Sequence, residues 1–205
     1  SDRATAHAGD RMPVRVGMEC DWLPDCEKGI TDLRSRYNWD YLIGSVHYIN
    51  DGKNWDFDNP KWIGSKWAKS DIEQVWSIYW QSYIDMADSG LFDILAHPDL
   101  IKKFGYKPDG DLNRFYEPVI DAIASSGAII ELNTAGWHKP CAEQYPDSAF
   151  LELARDGGVD LIISSDSHHP SEVARDFTKA SAVAKSAGYF QTTLINKGQR
   201  SHEAL

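Results

Sequence analysis

Five short stretches of this chain put acids and imidazoles where they could act together. They are GMECD (17–21), GSVHY (44–48), LAHPD (95–99), IIELN (129–133) and SSDSH (164–168). Each is apolar early and polar at its C-terminal end. Glu19, His47, His97, Asp166 and His168 are residue types that hold divalent metals: imidazole suits zinc, iron and manganese, and a carboxylate can bridge two ions. A lone histidine at a strand end is usually no more than hydrogen-bonded. Five strand ends all carrying ligand-type residues are hard to explain that way. Ions held there could activate water and clamp a phosphoryl group.

The elements that must position these residues are legible as alternation. Strands are expected over 13–20, 41–49, 92–98, 128–134 and 161–168, with a weaker one over 190–196. Amphipathic helices lie between them. One spans 70–90, opened by a capping box of Ser70 with Glu73 and closed by Gly90. A second runs over 118–126 with Pro118 in its first turn. Asp147 caps a third, which ends near Gly157, and Ser171 caps a fourth, closed by Gly188. Strand–helix alternation implies an α/β fold with parallel strands and helices outside, either a barrel or a doubly wound sheet. No Gly-rich phosphate loop follows any strand, which counts against a nucleotide-binding sheet. In α/β barrels the active site is built at the C-terminal strand ends. Side chains two apart share a face. Glu19 therefore lies above Gly17, His47 above Ser45 and Asp166 above Ser164, and these small residues are expected to leave room for ions. Val14, Val16, Met18, Leu42, Val46 and Ile163 are expected to face the helices. The long connection 50–70 carries Trp55, Trp62 and Trp67 and is expected to form an ordered lid.

The 205 residues suit one domain, 1–205, with 42% hydrophobic residues for its core. A formal charge of −10 argues against a nucleic-acid surface. No apolar run approaches the roughly 18 residues of a membrane span, and no signal-peptide pattern opens the chain. Cys20, Cys26 and Cys141 lack metal-type spacing and form no disulfide framework, so a cytoplasmic setting is expected.

Taken in order, GMECD, GSVHYI, LAHPDL, ELNTAG and SSDSHHP resemble the PHP-domain metal-dependent phosphoesterases, in the histidinol-phosphate phosphatase branch. The resemblance runs from about Pro13 to about Gly198. It implies a distorted (β/α)7 TIM-like barrel with a site for up to three zinc, manganese or iron ions. Glu19 matches a carboxylate bridging two metals. His47 and His97 match ligands of the second metal, and Asp166 and His168 ligands of the first and third. Glu131 and Asn133 match residues lining the substrate pocket, while Asp21 and Asp99 are placed either to back the ligands or simply to cap loops. The implied reaction is hydrolysis of a small phosphate monoester, histidinol phosphate in histidine biosynthesis, with Glu19 and Asp166 at its centre.

The departures are as specific. The family opens with a strand bearing His-x-His, and only eighteen residues precede Glu19 here, with the lone His7 among them. The chain therefore resembles the last five β/α units of such a barrel, holding fewer than three ions and turning over weakly by itself. A barrel that binds metal without catalysis, and an amidohydrolase-type hydrolase, are the alternatives. Strand edges left open would favour a homo-oligomer or a strand-swapped assembly. The branch often carries Arg-Lys after NTAGx and Arg after SDxH; here those places hold His138, Lys139 and His169. Lys102, Lys103, Lys139 and His138 are left to meet the phosphate. His169 is the candidate for protonating the leaving alkoxide.

Overall fold

The computed structural model of the chain describes residues 13–205, so the expectation that His7 is an exposed lone histidine lies outside the described residues. Nine strands are described: β1 (Gly17–Asp21), β2 (Tyr41–Ser45), β3 (Tyr48–Asn50), β4 (Asn54–Asp56), β5 (Ile94–Leu95), β6 (Ile129–Asn133), β7 (Leu161–Ser164), β8 (Gln191–Asn196) and β9 (Gln199–Ala204). The α-helices are α1 (Glu27–Arg36), α2 (Ile72–Asp88), α3 (Asn113–Ser126), α4 (Ser148–Asp156) and α5 (Phe177–Ser186). Five strands form one parallel sheet in the order β1-β2-β5-β6-β7, which is the expected α/β architecture. β3–β4 and β8–β9 are antiparallel hairpins outside it.

The sheet has two apolar faces of different kinds. Leu42, Leu95, Ile130, Leu132 and Leu161 belong to the main core with the helix residues Tyr79, Tyr83, Val119, Ile123 and Phe150. The opposite face carries a small plug of Ile94, Ile129 and Ile195, with Tyr41, Ile43 and Ile162 against it. Ile195 comes from β8, whose side chain Thr192 donates to the Leu161 carbonyl at 3.4 Å. The turn after β8 reaches back to the start of β2: Gly198 N–H donates to the Asp40 carbonyl at 2.8 Å. The sheet is thus curled, with the plug at one end of its concave face. The space expected above Gly17 is not free. The Tyr41 ring lies where a Gly17 Cβ would be, so glycine here admits an aromatic plug rather than a ligand.

Helix boundaries depart from expectation for local reasons. Asp71, not Ser70, caps α2, its carboxylate accepting from Gln74 N–H at 3.2 Å, while the Ser70 hydroxyl donates to the Lys66 carbonyl. Helical spacing leads one to expect a core stripe of Ile72, Val75, Trp76, Tyr79, Tyr83 and Met86; all are buried but Ile72, which is half-buried, and Trp80 joins them. Helix α3 starts five residues before Pro118, which therefore sits inside the helix and removes one i→i−4 bond rather than opening it. Asp147 does cap α4, accepting from Phe150 N–H at 3.0 Å. Ser171 caps no helix. It sits in a short 3₁₀ turn (Pro170–Glu172), and α5 starts at Phe177 behind Asp176. The strand expected over 92–98 shrinks to two residues, because His97 and Asp99 take left-handed backbone at φ 28° and 62°.

Candidate metal centre

Glu19 leaves β1, His47 follows β2 and His97 follows β5, three adjacent strands of the parallel sheet. Their ligand atoms all lie within 4.8 Å of one another. Glu19 Oε1 is 3.3 Å from His97 Nε2 and 4.0 Å from His47 Nε2. Bonds of 2.0–2.1 Å to a tetrahedral ion separate neighbouring ligands by about 3.4 Å, so the donor set fits a divalent cation in both spacing and chemistry.

One carboxylate fixes the His47 ring, and another holds the backbone of the His97 loop. Asp21 Oδ1 is 2.6 Å from His47 Nδ1, which leaves Nε2 directed at Glu19. Glu131 Oε2 accepts from the His97 backbone N–H at 2.7 Å and from Asn133 Nδ2 at 3.1 Å. Asn133 Oδ1 in turn accepts from Ala135 N–H at 2.8 Å. Glu131 and Asn133 are buried beneath the cleft and hold the His97 loop; they do not line the pocket as expected.

The electrostatics are those of an ion site. Burial pushes the Glu19 carboxyl up, but the His97 hydrogen bond and the His97 and His47 charges outweigh it and hold the pKa at about 2. Burial pushes His97 down, and its bond to Glu19 with the charges of Glu131, Glu19 and Asp166 lifts it to about 9. A cation in their midst would take over the role of that imidazolium.

The three residues open into a cleft of about 320 Å³. Asp166 lines the same cleft, with left-handed backbone at φ 46°. His168 stands at its rim, largely exposed, with Nδ1 on the Asp166 carbonyl at 3.0 Å. Non-glycine left-handed residues cost energy and cluster at functional sites; His97, Asp99 and Asp166 are three in one place. A larger cleft of about 670 Å³ around Trp22, Asp25 and Leu91 contains no histidine and lacks this donor set.

The basic wall differs from expectation. Lys139 and Lys103 line the cleft, with Lys103 Nζ 3.1 Å from Asp58 Oδ2. Lys102 does not: it is wholly buried, 2.8 Å from Asp99 Oδ2 and 3.2 Å from Glu143 Oε2. His138 is also outside the lining, paired with Asp176 at 2.7 Å. His169 pairs with the Ser171 hydroxyl at 2.9 Å and does not line this cleft. Asp58, Tyr145, Glu172 and Arg175 complete the wall and were not anticipated. Only the tryptophans of the 50–70 connection signalled Asp58. Trp67 donates to the Phe57 carbonyl at 2.8 Å and stacks on Tyr106 at 4.8 Å, ordering the loop that carries it.

Residues 3–135, more than half of the chain, match the family model described as PHP domain. The chain belongs to the PHP-domain family. It is 35% identical over 178 residues to the "Probable histidinol-phosphatase" of Deinococcus radiodurans, covering 87% of this chain and 66% of that protein. It is 25% identical to the histidinol-phosphatase of Bacillus subtilis, covering 80% and 66%. The chain thus spans about two thirds of the length of these curated relatives. Its fold matches a crystal structure of histidinol phosphate phosphatase from Lactococcus lactis, complexed with zinc, L-histidinol and phosphate. The TM-score is 0.77 at 19% identity, over 98% of this chain and 76% of that one. No helix among the described residues is long and apolar enough to cross a membrane.

Proposed function

We propose that this PHP domain carries the metal-binding cleft of a phosphomonoesterase acting on histidinol phosphate. The observation that carries it is one cleft lined both by Glu19, His47, His97 and Asp166 and by Lys103, Lys139 and Arg175. Anionic and imidazole ligands suit divalent ions, and the cations opposite suit the phosphate they would process. The relatives named histidinol-phosphatase, and the zinc, histidinol and phosphate of the Lactococcus complex, support the same substrate class.

Glu19, His47 and His97 would hold the first ion, with Asp166 and His168 contributing toward a further one; zinc, manganese and iron all suit this donor set. Bound divalent ions supply water activation and charge neutralisation at phosphorus. The protein's own part is to keep the ligands in place and to bind the ester. Asp21 fixes the His47 ring, and Glu131 fixes the backbone of the His97 loop. Lys139 and Lys103 offset phosphate charge, Asp58 holding Lys103 at the wall.

The test is phosphate release from histidinol phosphate by zinc- or manganese-loaded protein, with Glu19→Gln and His97→Ala as controls. Metal-dependent release that both substitutions abolish supports the reading. Stoichiometric ion binding with no release from any phosphomonoester refutes it in favour of a metal-binding domain without catalysis.

A further inference from the structure

We propose that Arg175 is the guanidinium that grips the substrate's phosphate, an assignment that rests on the phosphomonoesterase reading above. Arg175 lines the cleft with Asp166, His168 and Lys139. Its head is barely engaged by the protein. Among the described residues its one side-chain contact is Nη1 to Glu172 Oε1 at 3.4 Å, and its buried Nε has no partner. The guanidinium is thus under-committed within the protein, and with 27% of the side chain exposed an anion in the cleft can meet its remaining donors.

The backbone is built to present this side chain. Ala174 and Asp176, on either side of it, both take left-handed conformations at φ 58° and 63°. Neither is glycine, so the corner persists only because its surroundings hold it. Thr134 Oγ1 donates to the Arg175 carbonyl at 2.8 Å, and Ala174 N–H donates to Ser165 Oγ at 3.0 Å. His138 completes the corner through its 2.7 Å pair with Asp176. A planar guanidinium offers two parallel N–H donors to a phosphate, which lysine cannot do. Lys139 and Lys103 are point charges by comparison.

The measurement is calorimetric titration of inorganic phosphate into zinc-loaded wild type, Arg175→Ala and Arg175→Lys, with zinc content measured on each. Arg175→Ala is expected to weaken phosphate binding by about tenfold or more, with zinc content unchanged. Arg175→Lys keeps the charge on a somewhat shorter side chain without the planar fork and is expected to recover only part of the loss. Added guanidinium at millimolar concentration is expected to restore binding to Arg175→Ala, an effect that a merely structural role does not produce. If the alanine variant fails to fold, the lysine variant carries the test, and wild-type affinity in it overturns the assignment. Phosphate affinity in Arg175→Ala within twofold of wild type likewise overturns it. Wild-type protein that takes up zinc but binds no phosphate overturns the phosphomonoesterase reading, and the Arg175 assignment with it.

Discussion

Lys102→Met removes a buried ammonium and keeps a side chain of similar length. In the wild type Lys102 Nζ lies 2.8 Å from Asp99 Oδ2, with both side chains wholly out of solvent. Its second partner, Glu143, is 42% exposed, so that contact is screened and contributes under about 1 kcal/mol. Removing one member of a buried pair costs about 3–5 kcal/mol, and the charge state of Asp99 decides when that full cost appears. Burial pushes the Asp99 carboxyl up to about 7, against the pull of Lys102. The unfolded chain ionises this acid near pH 3.9, so its raised folded value lowers stability as pH rises from about 4 to 7 in wild type and variant alike. Below pH 7 both proteins keep Asp99 protonated, and the variant loses only the close polar contact of the ammonium, about 1–2 kcal/mol.

Above pH 7 the wild type ionises Asp99 beside Lys102, whereas the variant must keep it protonated. The difference then grows by about 1.4 kcal/mol per pH unit, reaching about 3–4 kcal/mol at pH 8.5. Urea denaturation of ion-free protein at pH 6 and pH 8.5, followed through the eight tryptophans, measures this. Adding Asp99→Asn to Lys102→Met is expected to flatten the pH dependence. Equal losses at both pH values, or a loss below about 1 kcal/mol at pH 8.5, refute the buried-pair argument. A variant that keeps its stability and loses phosphate affinity would put Lys102 back in the cleft.

Asp21→Asn removes the charge behind His47 and is expected to weaken zinc binding by about 10–100-fold, read by competition with a chelator. Trp67→Ala empties a site only 1% exposed and is expected to cost about 3–5 kcal/mol, with a lowered urea midpoint. In ion-free protein the depressed Glu19, at about 2, stabilises above its unfolded value and loses that contribution as pH falls through 2. The raised His97, at about 9, stabilises below its unfolded value and loses its contribution as pH rises through 9. Zinc uptake at pH 7 is therefore expected to release close to one proton from His97, measurable by calorimetry in buffers of different ionisation heat.

The convergence of the candidate metal ligands was legible because period-2 alternation is strict in a strand and parallel strands deliver their ends to one side. Glu19, His47, His97 and Asp166 all open on one cleft as that logic requires. The helix stripe of α2 was legible for the same kind of reason. Ends of elements were not. Ser70 and Asp71 are adjacent residues of equal capping ability, and only the final backbone angles select Asp71. Lys102 and Lys103 look alike as neighbours. A left-handed Asp99 starts a 3₁₀ turn that sends one ammonium inward to Asp99 and the other out to Asp58 in the cleft. No pattern in the sequence announces that turn, since a left-handed aspartate is held by its tertiary contacts rather than chosen by propensity.

His138 and His169, which stand where the family resemblance leads one to expect arginine, illustrate the same limit in the chemistry. Position by position, the sequence reading leaves the cleft without a guanidinium. In three dimensions Arg175 enters from the corner after His168, and His138 anchors Asp176, the next residue. An imidazole at 138 thus has a definite task without touching phosphate. His138→Ala is accordingly expected to weaken inorganic phosphate binding less than Arg175→Ala does. Combining the two should add little beyond Arg175→Ala alone, because residues acting through one contact are not additive. Full additivity in that double-mutant cycle would mean that His138 meets the phosphate independently, and the corner would then lose its explanation.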